Sequence, residues 1–313
     1  MQCNNCEALL PEEDVFCEEC GVRLEPEPVP PRPEGAREEL ILSAECAAIT
    51  DVGCKRSRNE DRFAVRHASE GWALVVCDGV SSSEDSQRAS AIAAEQTAER
   101  LSLYTGTKTG QIMREAIADA ARAVAQLPKP APDTEDPAST TLVAAFVQDR
   151  QVTIGWLGDS RAYWFGAEGG ARQLTSDHSW LNEVVASGKM TADEAGHSPT
   201  AHAITKWIGA DSGEMEPGVV EFYVEEAGTL LLCTDGLWNY APESVRIRDL
   251  LKHDGDAITE ARKLVDFALA SGGHDNVTVA ILRFCIPEES AGDASDPAPP
   301  QASTTGNLDG ERI

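Results

Sequence analysis

Apolar positions recur along the chain with two periods, and those periods sort it into elements. Short β-prone runs occupy Trp72 to Cys77, Thr141 to Val147, Val152 to Leu157, Ala162 to Phe165, Val219 to Val224, Thr229 to Cys233 and Val277 to Phe284. Their near-continuous hydrophobicity predicts strands of a largely buried sheet system. Between them Ile112, Ala116, Ile117, Ala120 and Val124 return at helical spacing, as do Ile258, Ala261, Leu264, Val265, Ala268 and Leu269. Both segments predict amphipathic helices that cover sheets. Helices fall in runs between groups of adjacent strands instead of alternating with them, which predicts an α+β sandwich over a doubly wound parallel sheet.

The patterning fades at both ends. Residues 1–24 carry two pairs of cysteines, and residues 25–39 mix Pro26, Pro28, Pro30, Pro31 and Pro33 with acidic side chains. That composition predicts an extended, solvated linker. Apolar periodicity is sustained over residues 40–286, the expected catalytic unit. Residues 287–313 are again Pro, Ala, Ser and acidic residues with little to bury, which predicts a disordered acidic tail.

Composition narrows the function classes. At 313 residues and 42% apolar content the chain can bury the core of an enzyme. Its 53 acidic against 26 basic side chains give a formal charge of −27, a field that repels a phosphate backbone. Nucleic acid is therefore not an expected partner. No apolar run approaches the roughly 20 residues that span a bilayer, and no signal-peptide pattern opens the chain. No membrane association is expected, and the reading is cytoplasmic. Cys46, Cys54, Cys77, Cys233 and Cys285 lie singly in or beside apolar runs, where reduced cysteine acts as a small hydrophobe.

Candidate chemistry begins at the ends of strands. Three apolar runs terminate in aspartate followed by a small residue: Val75-Val76-Cys77-Asp78-Gly79, Trp156-Leu157-Gly158-Asp159-Ser160 and Leu232-Cys233-Thr234-Asp235-Gly236. A fourth aspartate, Asp275, stands just before a strand. Any one such dipeptide is an ordinary turn. Several carboxylates converging at the mouth of a buried sheet would repel one another unless a cation compensates them. All-oxygen ligands point to magnesium or manganese. Earlier, the segment from Thr50 to Asp61 mixes basic and acidic residues, and an arginine there suits a phosphate through its planar fork.

Cys3-Asn4-Asn5-Cys6 and Cys17-Glu18-Glu19-Cys20 form the other motif. Two CxxC pairs can aim four thiolates at one tetrahedral zinc, and so short a segment has no core without the metal. The module's acidic composition argues for a protein partner or a regulatory role.

In this order the segments TDVGCKRSRNED, VVCDGVSSSEDSQRAS, STTLVAAF, IGWLGDSRAYWF, LTSDHSWLNEVVASGKMTADEA, LLLCTDGLW and GGHDNVTVAIL resemble the type 2C family of metal-dependent serine/threonine protein phosphatases in its bacterial form. The resemblance covers nearly the whole central region. It implies a four-layer α-β-β-α sandwich, two packed sheets flanked by helices, with a site for two manganese or magnesium ions at one end. By motif, Asp78 would bridge both metals, the Gly79 carbonyl would bind one, and Asp235 and Asp275 the other. Glu60 is expected near the second metal with Asp61 beside it, and Asp159 with Asp235 matches a third, weaker metal position. Arg56 corresponds to the phosphate-binding arginine.

The implied reaction is hydrolysis of phosphoserine or phosphothreonine on proteins by a hydroxide shared between the metals. Val80 stands where some relatives carry a histidine acid and cannot donate a proton. Val80-Ser81-Ser82-Ser83 stands where many bacterial members of the family have a methionine and paired glycines. The segment from Asp177 to about Trp207 corresponds to a flap beside the site, and its His178 and His202 are read as structural. Expected partners are phosphoprotein substrates of a serine/threonine kinase and a protein that meets the zinc ribbon. The competing class is a catalytically silent sensor or scaffold that recruits partners through that ribbon.

Overall fold

The computed structural model describes residues 35–285 apart from 70, 81, 84, 129–135, 213–215 and 252–254. The paired cysteines, most of the linker and the tail lie outside the described residues. In chain order the strands are β1 (Arg37–Ile41), β2 (Cys46–Asp51), β3 (Arg62–Ala68), β4 (Gly71–Cys77), β5 (Ser139–Thr140), β6 (Leu142–Gln148), β7 (Gln151–Leu157), β8 (Arg161–Gly166), β9 (Ala171–Gln173), β10 (Ile208–Gly209), β11 (Gly218–Tyr223), β12 (Gly228–Cys233) and β13 (Val277–Phe284). The helices are α1 (Ser86–Ser102), α2 (Thr109–Val124), α3 (Trp180–Ala186), α4 (Ala192–Gly196), α5 (Asp235–Trp238), α6 (Ser244–Leu250) and α7 (Ala257–Ala270). The seven runs expected as strands are β4, β6, β7, β8, β11, β12 and β13, and the two periodic helices are α2 and α7. β1 begins at Arg37, inside the stretch whose composition reads as linker.

One sheet has the order β1-β2-β13-β12-β8-β9 and the other β11-β7-β6-β4-β3, with β10 and β5 forming a separate ribbon. Every pairing between these strands is antiparallel. Three apolar clusters lie between the layers. Leu74, Val76, Val143, Ile154, Leu230, Leu232 and Ala280 meet where the two sheets face each other. Ile112, Met113 and Ile117 of α2 and the alanines of α1 pack on Val75, Ala144 and Phe146. Ile258, Leu264 and Val265 of α7 pack on Ile49, Leu231 and Ile281. Because side chains alternate across a strand, each central strand feeds both its helix layer and the inter-sheet layer, which explains why these strands lack polar alternation.

α7 starts where the Asp256 carboxylate accepts the Thr259 N–H, satisfying a donor that the helix leaves open. Cys46, Cys77 and Cys233 are buried and Cys54 half-buried, while Cys285 is exposed, so the expectation of a hydrophobe's environment fails at Cys285. β13 has ended one residue earlier, at Phe284. Among the described residues no helix is long and apolar enough to cross a membrane.

Candidate active site

Antiparallel pairing gathers the strand-end aspartates. β12 runs beside β13 with Cys233 opposite Val279, so Asp235 after one strand and Asp275 before the other emerge at the same edge. In the second sheet β4 pairs with β6 and β6 with β7, which brings the end of β4, and Asp78, level with the end of β7. The connection from β7 to β8 crosses between sheets and carries Asp159. Asp78, Gly79, Asp159, Asp235 and Asp275 line one cavity of about 150 Å³, together with Val80, Thr141 and Ile204. A larger recess of about 690 Å³ at the other end of the sandwich, lined by Trp72, Val147, Leu282 and Phe284, contains none of these carboxylates.

Of the remaining expected residues, Arg56, Glu60 and Asp61 flank the cavity without lining it. The Arg56 guanidinium donates to the Asp275 carboxylate at 2.6 Å. Glu60 accepts from the Ser86 hydroxyl at 2.7 Å, and its backbone carbonyl accepts the Gly79 N–H. Asp61 is fully buried behind the row, where its carboxylate accepts from Thr234 Oγ1 at 2.8 Å. Asn276 holds the loop that carries Arg56 to Asp275: its amide donates to the Val52 and Arg58 carbonyls while its backbone N–H donates to Asp275 Oδ1.

The electrostatics of this edge are strained. Burial, followed by the charges of Asp61, Asp235, Asp159 and Asp275, pushes the Asp78 carboxyl well above the usual carboxylate range. Burial and then Asp235 and Asp177 push Asp159 up to about 7. Burial and then Asp275 push Asp235 up to about 6. Burial raises Asp61 to about 7 even though threonine hydroxyls solvate it. Among the described residues no set of three or more His, Cys, Asp or Glu side chains stands ready to hold a metal ion. The Asp275 carboxylate is engaged with Arg56.

The donor set nevertheless fits hard divalent cations: every group is an oxygen, most are buried, and their mutual repulsion is what bound positive charge would relieve.

Sequence reasoning leaves unassigned three residues that shape the cavity. Thr141 bridges strands, its hydroxyl accepting the Asp78 N–H and hydrogen-bonding Ser160. Ile204 forms a wall from the segment expected as a flap. Arg161 lies beneath it, held by Asp177. The GDSR and SDH segments contain the last pair, yet nothing in their spacing says that they meet.

His178 stacks on Trp156 with ring centroids 6.2 Å apart, and its Nδ1 accepts the Gly158 N–H. Burial and Lys206 lower its pKa to about 4, so it is neutral and structural, as expected. His202 faces Trp238 and does not line the cavity.

The sequence profile described as Protein phosphatase 2C matches residues 54–267. The chain is similar to the serine/threonine phosphatase stp of Listeria welshimeri, 31% identical over 243 residues that cover 74% of this chain and 93% of the relative. Protein phosphatase PhpP of Streptococcus pneumoniae is 33% identical over 247 residues, 76% of this chain and 96% of that one. Among solved structures, serine/threonine phosphatase Stp1 from Staphylococcus aureus superposes with a TM-score of 0.68 at 29% identity, covering 79% of this chain and 98% of its own. The Mycobacterium tuberculosis serine/threonine phosphatase PstP/Ppp gives 0.66 at 25% identity, covering 79% and 98%.

Proposed function

The chain belongs to the protein phosphatase 2C family and is a serine/threonine protein phosphatase, and on that premise we propose a metal-dependent hydrolysis centred on Asp78, Asp235 and Asp275. The observation that carries it is the single cavity shared by Asp78, Gly79, Asp159, Asp235 and Asp275, in which burial and neighbouring aspartates raise the carboxyls of Asp78, Asp159 and Asp235. Asp78, the Gly79 carbonyl, Asp235 and Asp275 would hold two manganese or magnesium ions, with Glu60 and Asp61 behind them and Asp159 beside Asp235 for a third. Bound there, the cations would supply Lewis acidity, neutralising the phosphoryl group and acidifying an attacking water.

The chain's own residues do the positioning. Arg56, on a loop tied to Asp275, presents its fork at the cavity mouth, where a phosphoryl group would meet it. Its contribution is orientation and stabilisation of charge in a loose transition state. Val80 lines the cavity and has no proton to give, so the leaving serine or threonine oxygen takes its proton from water. Ile204 and Val80 give the cavity its apolar side. Substrates are phosphoproteins, the products of a serine/threonine kinase.

The module at residues 1–24 is proposed from its sequence as a zinc ribbon with Cys3, Cys6, Cys17 and Cys20 as ligands, serving a protein partner. Hydrolysis of a phosphothreonine peptide with manganese, magnesium or neither tests the catalytic proposal. Turnover that requires added metal and is lost in Asp235→Ala is expected. Activity untouched by thorough chelation would remove the metals from the mechanism.

A further inference from the structure

Two fastenings tie the segment 177–207 to the floor of the cavity, and the chemistry proposed above uses neither. In the first, the Arg161 Nε and Nη2 donate to both Asp177 oxygens at 2.9 and 2.7 Å, with each side chain 11% exposed. The opposite face of the guanidinium lies 3.7 Å from the centre of the Trp238 ring. The Trp238 indole donates to the Asp159 carbonyl at 3.0 Å, and Trp238 ends the short helix that Asp235 begins. One arginine thus joins the flap base, the loop bearing Asp159 and the helix bearing Asp235. In the second fastening, His178 donates its backbone N–H to the Gly158 carbonyl while its ring accepts the Gly158 N–H.

From Asp177 the connection runs directly to the cavity wall. Ser179 pairs with Ile204 as an antiparallel bridge. On either side of that bridge the Trp180 N–H donates to Ala203 and the Thr205 N–H to the His178 carbonyl, both at 2.9 Å. Ile204 is therefore held by rungs above and below, and its side chain lines the carboxylate cavity.

We propose that Arg161 is a positioning residue: by fixing Asp177 it sets where Ile204 stands over the cavity, and so governs capture of a phosphoprotein segment, not the hydrolytic step. The inference rests on the phosphatase reading above and adds to it a division of labour. A planar, bidentate, stacked guanidinium is the side chain for this, since lysine supplies one point charge and no fork. A group on the flap touches what enters the cavity, whereas the attacking water and the phosphoryl group meet the carboxylate side.

The test compares wild type, Arg161→Lys, Asp177→Asn, their double variant and Ile204→Ala, each with manganese, on a phosphothreonine peptide and on p-nitrophenyl phosphate. Amide hydrogen exchange is followed in parallel. The KM for the peptide is expected to rise about tenfold in every variant, with kcat on the small substrate within about twofold of wild type in Asp177→Asn, whose altered side chain neither lines the cavity nor braces the elements of Asp159 and Asp235. The double variant should be no worse than either single one. Exchange at Trp180, Leu181 and Thr205 should accelerate in Arg161→Lys and Asp177→Asn while amides of β12 and β13 stay protected. Ile204→Ala should reproduce the KM effect without the exchange effect, and it carries the binding arm if the arginine variants fail to fold.

Equal loss of kcat on both substrates, or exchange rising throughout β12 and β13, would overturn the proposal in favour of a purely structural ion pair. Unchanged exchange at the three flap amides would also overturn it. A wild type inert on both substrates with every divalent cation would instead overturn the phosphatase reading, and the exchange arm would still decide the fastening.

Discussion

The Arg56 guanidinium rests on the Asp275 carboxylate at 2.6 Å, so the cation suited to phosphate is paired with an oxygen ligand suited to metal. Both side chains are about one third exposed, 38% and 31%, and a pair so hydrated contributes only about 0–1 kcal/mol. It yields readily when a better partner arrives for either side. Arg56→Ala should therefore lower kcat/KM on a phosphopeptide by roughly 10²–10³-fold, the usual effect of removing one transition-state donor. Manganese affinity measured by titration calorimetry should stay the same or tighten, because Asp275 loses a competitor. Weaker manganese binding in that variant would show that Arg56 supports the metal site instead of competing with it.

Asp78 sits where function and stability conflict. Its carboxyl is opposed by its surroundings, through burial and then four neighbouring aspartates. Asparagine keeps its shape and removes its charge. In chelator at pH 8, Asp78→Asn should unfold at a higher temperature than wild type, by on the order of 1–2 kcal/mol, as is common for changes that relax an active site. Phosphopeptide turnover should fall by about 10³-fold or more, since the proposed bridging ligand is gone. A variant that is inactive and also less stable without metal would mean that the carboxylate has local support beyond its neighbours.

The raised carboxyls also fix a pH dependence. Asp61 and Asp159 titrate near 7 and Asp235 near 6 in the fold, against an ordinary 3.8. Each binds its proton more tightly folded than unfolded, so the stability it contributes is present at low pH and lost as pH rises through 6 to 7. His178 acts in the opposite sense, since its pKa falls from 6.5 to about 4. Its contribution is present above 6.5 and declines only below it. Between pH 8 and 6.5 the carboxyls act largely alone, and the melting temperature of chelated protein should rise as pH falls, by on the order of 2 kcal/mol or a few degrees. Saturating manganese should flatten that rise, because bound cations do the work of the protons. A melting temperature that drops across this interval would contradict the assignment.

The parts legible in the sequence are those written in local pattern. Apolar runs closing on Asp78, Asp159 and Asp235 disclose both strands and strand-end carboxylates, and antiparallel pairing then suffices to gather them. α1 is not legible in the same way. Its buried face is Ser86, Ala89, Ser90, Ala93, Ala94, Thr97 and Ala98 before a single large residue, Leu101, and small or hydroxyl side chains let the helix sit close on the sheet but give little contrast with their neighbours. β2 and β3 are obscured by alanines and by alternating charge. Asp61 reads like one more ligand beside Glu60, and only the fold reveals that it turns inward to Thr234. Ile204 and Arg161 are ordinary residues in sequence, and their roles arise from a meeting of segments that no spacing encodes.

The geometry of the loop that carries Arg56 depends on a residue without a side chain. Gly53 has φ +80°, and a Cβ there would lie 2.2 Å from the backbone oxygen of Asp275. Its N–H donates to the buried Asp51 carboxylate at 2.9 Å, and the next N–H, of Cys54, donates to the Gly273 carbonyl at 2.7 Å. Gly53→Ala must both adopt a left-handed conformation and push apart the loops of Arg56 and Asp275. Gly169, with φ +92° and open space where a Cβ would stand, separates these effects, since alanine there meets the conformational cost alone. Gly169→Ala should cost about 1 kcal/mol of stability and leave kcat/KM unchanged. Gly53→Ala should cost more, about 2–4 kcal/mol, and lower kcat/KM on a phosphopeptide by at least tenfold as Arg56 is displaced from Asp275. Equal losses of stability in the two variants, with turnover intact in both, would mean that the two loops can separate without consequence and that their close approach is not what aligns the site.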